Sequence, residues 1–391
     1  MIEFKALETQ FFERYGPGEV PRVFFSPGRV NLIGEHIDYH GGRVLPCGID
    51  RGTALMIRRS SDATVKLASA NFDLVAILSE DQCEKKIGEY WINYPLGALS
   101  KLREHSPHVG GFECLYSGDI PNGTGLSSSA SILVVTAFAI NELSGLGLSK
   151  LDIVRLAQAA ENDFVGLQCG VMDQFAVTMA EPQHAMLLDC QSLEYQQQPL
   201  ALGDYCLLIA NSGQRRELAE SGYNERFAES NQALEKLRAA ASREIETLTD
   251  ISATEFSVLA EALVDEPLLC DRARHVIEEN ERVGRAAELL QCGDLRGFGE
   301  LMCASHASLR DLYAVSTPAI DALVEESMAV EGVLGSRITG AGFGGCTVSL
   351  LRRDAVPTFE QQVSQRYRAR TGLEAEFLVV EPGRGVHEVL A

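Results

Sequence analysis

The 391-residue chain has no Gly-Lys-Ser/Thr triplet, no Cys-x-x-Cys pair and no apolar run of membrane-spanning length. Without the triplet there is no P-loop, because the lysine that reaches the outer phosphates is missing. Ten cysteines stand scattered at 47, 83, 114, 169, 190, 206, 270, 292, 303 and 346. They read as reduced, mostly buried small residues, with neither a disulfide frame nor a zinc cluster. His36 and His40 are four apart, but Glu35-His36-Ile37-Asp38-Tyr39-His40 is not a His-Glu-x-x-His zinc motif. The longest clear apolar run, Ile132 to Ile140, is too short to span a bilayer. Positive charge is scarce too: 34 Lys and Arg face 55 Asp and Glu, for a net charge of −21. That balance excludes nucleic acid and anionic membrane as partners. The opening MIEFKALETQFFERYG has neither an apolar signal core nor a cleavage site, so a cytoplasmic location is expected.

What is present centres on Pro121-Asn122-Gly123-Thr124-Gly125-Leu126-Ser127-Ser128-Ser129-Ala130. It follows a short extended segment, Phe112 to Tyr116, and runs into the apolar segment Ile132–Ile140. Two glycines allow positive φ and close backbone approach, and three serines stand where a helix begins. An open row of N–H groups at the positive end of a helix dipole is an anion site, with phosphate its usual guest. The plainer alternative is a tight turn with a serine N-cap. A dinucleotide fingerprint is excluded, since the third glycine of that pattern is Ser128 here.

Taken in order, residues 1–20 form an amphipathic helix and Val23–Phe25 a strand. Ser26 to Gly42 is dense in Arg29, Glu35, His36 and Asp38, interleaved with Val30, Leu32 and Ile33 that look buried. Such a segment offers donors and acceptors to a polyhydroxylated ligand, or else is a charged surface loop. Short strands and one helix near 94–104 fill residues 43–120. Leu151–Phe164 is helical and carries Glu161; Asp173 follows a glycine-bearing turn. His184–Asp189 and Tyr205–Ala210 read as strands separated by the polar Gln196–Pro199, where the boundary between lobes 1–198 and 199–391 is placed. Helices dominate beyond it, near 215–242, 268–292, 295–312 and 317–330. A second glycine-rich loop, Gly335 to Cys346, leads into a strand at 347–351. A helix at 356–370 and a strand at 375–380 close the chain.

Three glycine-bearing motifs in this order resemble the GHMP kinase superfamily, and within it the galactokinases. The match rests on GRVNLIGEHIDY, the serine loop, CGVMDQF, ITGAGFGGC, and the stretches 275–283 and 305–316. The resemblance implies a mixed α/β fold of two lobes with the active site between them, its last strand packing back on the first lobe. It also implies ATP-dependent phosphorylation of the anomeric hydroxyl of galactose. By that resemblance, Gly123, Thr124, Gly125, Leu126, Ser127, Ser128 and Ser129 hold the ATP phosphates, and Ser129 and Glu161 hold Mg²⁺. Asp173 takes the hydroxyl proton while Arg29 keeps it charged and stabilises the transition state. Glu35, His36, Asp38, Gly170 and Tyr223 bind the sugar hydroxyls. The third motif would close over the site, with Ala341 in place of a glycine. Ile37 stands where most galactokinases have threonine, and residues 211–218 depart from the family pattern. Another sugar such as N-acetylgalactosamine, or a galactose- and ATP-binding sensor without turnover, therefore stay open as alternatives. No obligate protein partner is implied.

Overall fold

A computed structural model describes residues 2–390 except 63, 85, 89, 108, 122, 123, 168 and 215–218. In chain order come α1 (Phe4–Tyr15), β1 (Arg22–Asn31), β2 (Arg43–Val44), β3 (Pro46–Arg59), β4 (Val65–Ser69), β5 (Ala76–Leu78), α2 (Asn93–His105) and β6 (Phe112–Gly118). α3 (Ser128–Ser144) and α4 (Lys150–Ala159) follow, the latter passing into a π-helical turn over Ala160–Val165, then α5 (Met172–Met179), β7 (His184–Asp189), β8 (Tyr195–Pro199) and β9 (Tyr205–Asn211). The remainder is α6 (Ala219–Ala240), α7 (Ala253–Leu259), α8 (Pro267–Gln291), α9 (Leu295–Asp311), α10 (Pro318–Met328), β10 (Val333–Thr339), β11 (Cys346–Arg352), α11 (Val356–Thr371), β12 (Glu376–Val380) and β13 (His387–Glu388).

Three sheets result, ordered β13-β1-β3-β6-β4-β5, β10-β11-β9-β12 and β2-β7-β8. All neighbouring strands are antiparallel except β4 with β6. The last strand, β13, lies beside β1 with Phe24 opposite Glu388. Helix α3 is apolar on nearly every side, as its sequence run demands. Ala130, Leu133, Val134, Val135 and Ala137 are fully buried between the first sheet and helices α2 and α4. A second core lies between the strands around Val348 and Leu350 and helices α6, α8 and α9. Each fully buried aliphatic side chain contributes about 1.5–3 kcal/mol.

Three local expectations change. The polar stretch from Ser26 is not a loop throughout: β1 continues to Asn31, through a register shift between Pro27 and Arg29. That bulge explains how a strand tolerates Pro27. The polar separator 196–199 is part of β8, whose residues pair with His184–Leu188, because a mostly exposed edge strand needs no apolar alternation. The first half of the second glycine-rich loop is the buried strand β10, in which Ser336, Arg337 and Thr339 are fully enclosed. Val30, Leu32 and Ile33 are buried as expected. All ten cysteines are free, and Cys292 is exposed. Among the described residues no helix is long and apolar enough to cross a membrane.

Candidate active site

The bulge in β1 builds the site. A Cβ on Gly28 would come within 2.6 Å of the Leu126 carbonyl, so only glycine lets the serine loop lie against the strand. Arg29 N–H then donates to that same carbonyl at 3.1 Å. From this anchored position the buried Arg29 guanidinium reaches Asp173 in the first turn of α5. Nε donates to Oδ1 and Nη2 to Oδ2, each at 2.8 Å, while Nη1 donates to Gly125 O at 2.7 Å. The fork is the bidentate geometry that suits arginine to carboxylates.

At the start of α3 the cap differs from a serine N-cap. Ser127 has φ 60° and its side chain caps no backbone N–H. Its hydroxyl instead donates to Asp173 Oδ2 at 2.5 Å. The first turn of α3 is therefore left without a side-chain cap, facing a cavity lined by Gly125, Ser127, Ser128 and Ser129. Thr124 and Leu126 do not line that cavity: Thr124 Oγ1 donates to Pro121 O and the Leu126 side chain is in the core. Gly123 lies outside the described residues.

The cavity, of about 440 Å³, brings together Arg29, Glu35, His36, Asp38, Glu161, Gly170, Asp173 and Tyr223 with the serines. Glu161 enters it from the π-helical turn, a feature frequent at functional sites. It is buried and accepts from Gln174 Nε2; burial pushes its carboxyl up to about 7, against the lowering effect of the neighbouring Ser129 and Gln174 side chains. Asp38 is half-buried; desolvation, then Asp173 and Glu35, push its carboxyl up to about 7 as well. Gly170 packs so closely on Asp38 that an added Cβ would overlap the carboxylate.

Two residues expected at the sugar have both ends engaged by protein. Glu35 Oε1 accepts from Thr339 Oγ1 and Gly340 N–H, at 3.1 and 2.7 Å, and Oε2 accepts from Asn31 Nδ2 at 3.0 Å. His36, also at positive φ, sits with Nε2 3.1 Å from Ala341 O and Nδ1 2.9 Å from Tyr39 OH. Burial pushes its imidazole down to about 3, so it is neutral; Nε2–H donates to Ala341 O and Nδ1 accepts from Tyr39. Both residues thus latch the third glycine motif onto the first. Ala341 does not have the positive φ of its neighbours Gly340 and Gly342, so the substitution for glycine carries no strain. Ile37 is fully buried in the core and lines no part of the cavity.

Sequence reasoning missed a second cavity of about 440 Å³, lined by Asn71, Phe72, Trp91, Tyr94 and Tyr116. It shares Tyr94, Ser128 and Ser129 with the first, so it continues from the serine loop. The aromatic residues of 72–94 were the available signal, but nothing in their spacing points them at a loop 30 residues on. Gln174 and the Ser127–Asp173 bond were missed as well.

This fold and site define a class. The GHMP kinases N terminal domain model matches residues 93–181 and the GHMP kinases C terminal model residues 286–369. The solved mevalonate kinase of Methanococcus jannaschii shares the fold, with a TM-score of 0.68 over 94% of this chain and all of its own, at 18% identity. The chain is a GHMP kinase, with ATP as co-substrate.

Within that class it belongs to the galactokinase family. The galactokinase galactose-binding signature matches residues 9–59. Galactokinase of Clostridium tetani is 46% identical, covering 99% of this chain and 98% of its own. The crystal structure of Lactococcus lactis galactokinase complexed with galactose has a TM-score of 0.95 at 41% identity, over 99% of this chain and all of that one.

Proposed function

We propose that this chain transfers the γ-phosphoryl group of ATP to the anomeric hydroxyl of α-D-galactose, giving galactose 1-phosphate. The observation that carries the reading is the Arg29 fork on Asp173, set in one cavity with the uncapped start of α3 and the buried Glu161. Phosphoryl transfer needs an oriented hydroxyl, a phosphate cradle and relief of charge, and this grouping offers all three.

Asp173 would accept the hydrogen bond of the anomeric hydroxyl and take its proton as the O–P bond forms. Arg29 and Ser127 hold that carboxylate rigid, and Arg29 lends positive charge beside the transferring group. The N–H groups entering α3, with Ser128 and Ser129, would hold the phosphates, and the adjoining aromatic cavity would take the adenine. Asp38, Gly170 and Tyr223 would meet the sugar hydroxyls away from the reacting end. Glu35 and His36 would act by holding the third motif and the ring pocket in register.

The buried Glu161 carboxyl and the Ser129 hydroxyl are an oxygen-only pair that fits a hard cation such as Mg²⁺ retaining several waters. Mg²⁺ held there would offset negative charge on the phosphates. We also infer a division near residues 198–199, with five strands of the six-stranded sheet before it and the four-stranded sheet after it, β13 returning to the first sheet. A cytoplasmic location accords with ATP use and free thiols.

The test is ADP release with ATP and Mg²⁺ against galactose, glucose, N-acetylgalactosamine, galactosamine and arabinose. Galactose is expected to exceed the others by far. Higher turnover on another sugar would move the error to the walls at 35–38 and 223–224; galactose binding without turnover would make the chain a sensor.

A further inference from the structure

Gln174 is wholly buried one residue after Asp173, and every hydrogen of its amide is accounted for. Nε2 donates to Glu161 Oε2 at 2.5 Å and to Cys169 Sγ at 3.5 Å. The Cys169 thiol hydrogen is committed to Asn162 Oδ1 at 3.3 Å, so its sulfur is an acceptor toward Gln174. These partners define which way the amide faces. Turned over, Oε1 would meet Glu161 acceptor against acceptor whenever that carboxylate is ionised, the form that can hold a cation.

The cost of this orientation is visible. Gln174 Oε1 is buried and has no hydrogen-bond partner. A buried unpaired carbonyl destabilises the fold, and methionine would fill nearly the same volume without it. Packing alone therefore does not account for an amide here; the bond to Glu161 does.

We propose that Gln174 is a positioning residue for the metal site, holding the Glu161 carboxylate so that its other oxygen is presented to Ser129 and the bound cation. This rests on the reading of Ser129 and Glu161 as metal ligands. Partners of this kind behind a ligand are worth about 10- to 100-fold in metal affinity. The first turn of α5 then serves both halves of the reaction. Asp173 faces the hydroxyl that attacks, and Gln174, turned about 100° around the helix, faces the carboxylate beside the phosphates.

Mn²⁺ binding to the full-length protein with a non-hydrolysable ATP analogue, followed by electron paramagnetic resonance, tests the proposal without turnover. Gln174→Met is expected to weaken Mn²⁺ binding about tenfold, leave galactose affinity by calorimetry within twofold, and melt at the same or a higher temperature when free. A merely structural glutamine would instead show lowered melting with unchanged Mn²⁺ affinity, and that result overturns the proposal. Glu161→Gln separates the two readings. If it binds Mn²⁺ like the parent, the metal site itself is misassigned; if it loses Mn²⁺ while Gln174→Met does not, only the role of Gln174 fails. Should Gln174→Met not fold, Gln174→Asn, whose shorter arm withdraws the donor, is held to the same Mn²⁺ criterion.

Discussion

Ser127 donates its hydroxyl hydrogen to Asp173 Oδ2 at 2.5 Å from a left-handed backbone conformation, φ 60°. A serine pays about 1–2 kcal/mol to stand there, and the bond to the carboxylate is what the conformation achieves.

Ser127→Ala and Ser127→Gly separate the two effects. Both lose the bond, so each is expected to lower kcat about tenfold, the size of one charge-assisted hydrogen bond. Only glycine relieves the positive φ, so Ser127→Gly should melt above Ser127→Ala. Equal melting temperatures would show that the turn relaxes without Ser127.

Asp173→Asn keeps the size of the side chain while removing the proton acceptor and one accepting oxygen of the Arg29 fork. Galactose binding by calorimetry should stay within a few-fold and kcat should fall by about 100-fold or more. Near-normal turnover would leave Asp173 only an orienting role.

Gly170→Ala places a methyl group on the Asp38 carboxylate. The carboxylate must swing away, so KM for galactose should rise about tenfold or more while KM for ATP is unchanged. Unaltered galactose KM would remove Asp38 from the sugar contacts.

Asp38 carries part of the pH dependence, alongside the equally raised Glu161. Its carboxyl is pushed up to about 7 by desolvation, with Asp173 and Glu35 adding to the rise and Arg29 opposing it. Unfolded, it titrates at about 3.9. Between those values the native protein holds a proton that the unfolded chain has lost, so the stability of the free protein falls as pH rises from about 4 to about 7. Thermal melting across that range should slope down, and Asp38→Asn should flatten its share. Sugar hydroxyls donating to Asp38 favour the ionised form, so galactose should bind more tightly as pH rises through 7. Calorimetry in buffers of different ionisation enthalpy should then show proton release on binding below pH 7.

Helices α8, α9 and α10 were legible within two residues because each carries an unbroken apolar periodicity and a proline or cap at its start. The strand β8 was not, since its polar residues Gln196–Gln198 carry no apolar alternation that distinguishes a sheet edge from a loop, although Gln198 is buried. The same division runs through the site. Arg29, Glu161, Asp173 and the serines stand in motifs whose residue types and order are local properties of the chain. Their resemblance to the galactokinase motifs is what implied the chemistry of phosphate and sugar.

The class of reaction was legible in the chain through the resemblance of its ordered motifs to those of GHMP kinases, because glycines that permit close approach and serines at a helix start are set by neighbours in the chain. What each side chain faces came from the packing of distant segments. Ser127 meets Asp173 across 46 positions, and Gly340 meets Glu35 across 305. Glu35 and His36 became latches on the third motif, and Ser127 a brace on Asp173, once the β1 bulge brought these segments into one cavity. A side chain's partner depends on how distant backbones pack, and residue type and spacing alone do not encode that direction.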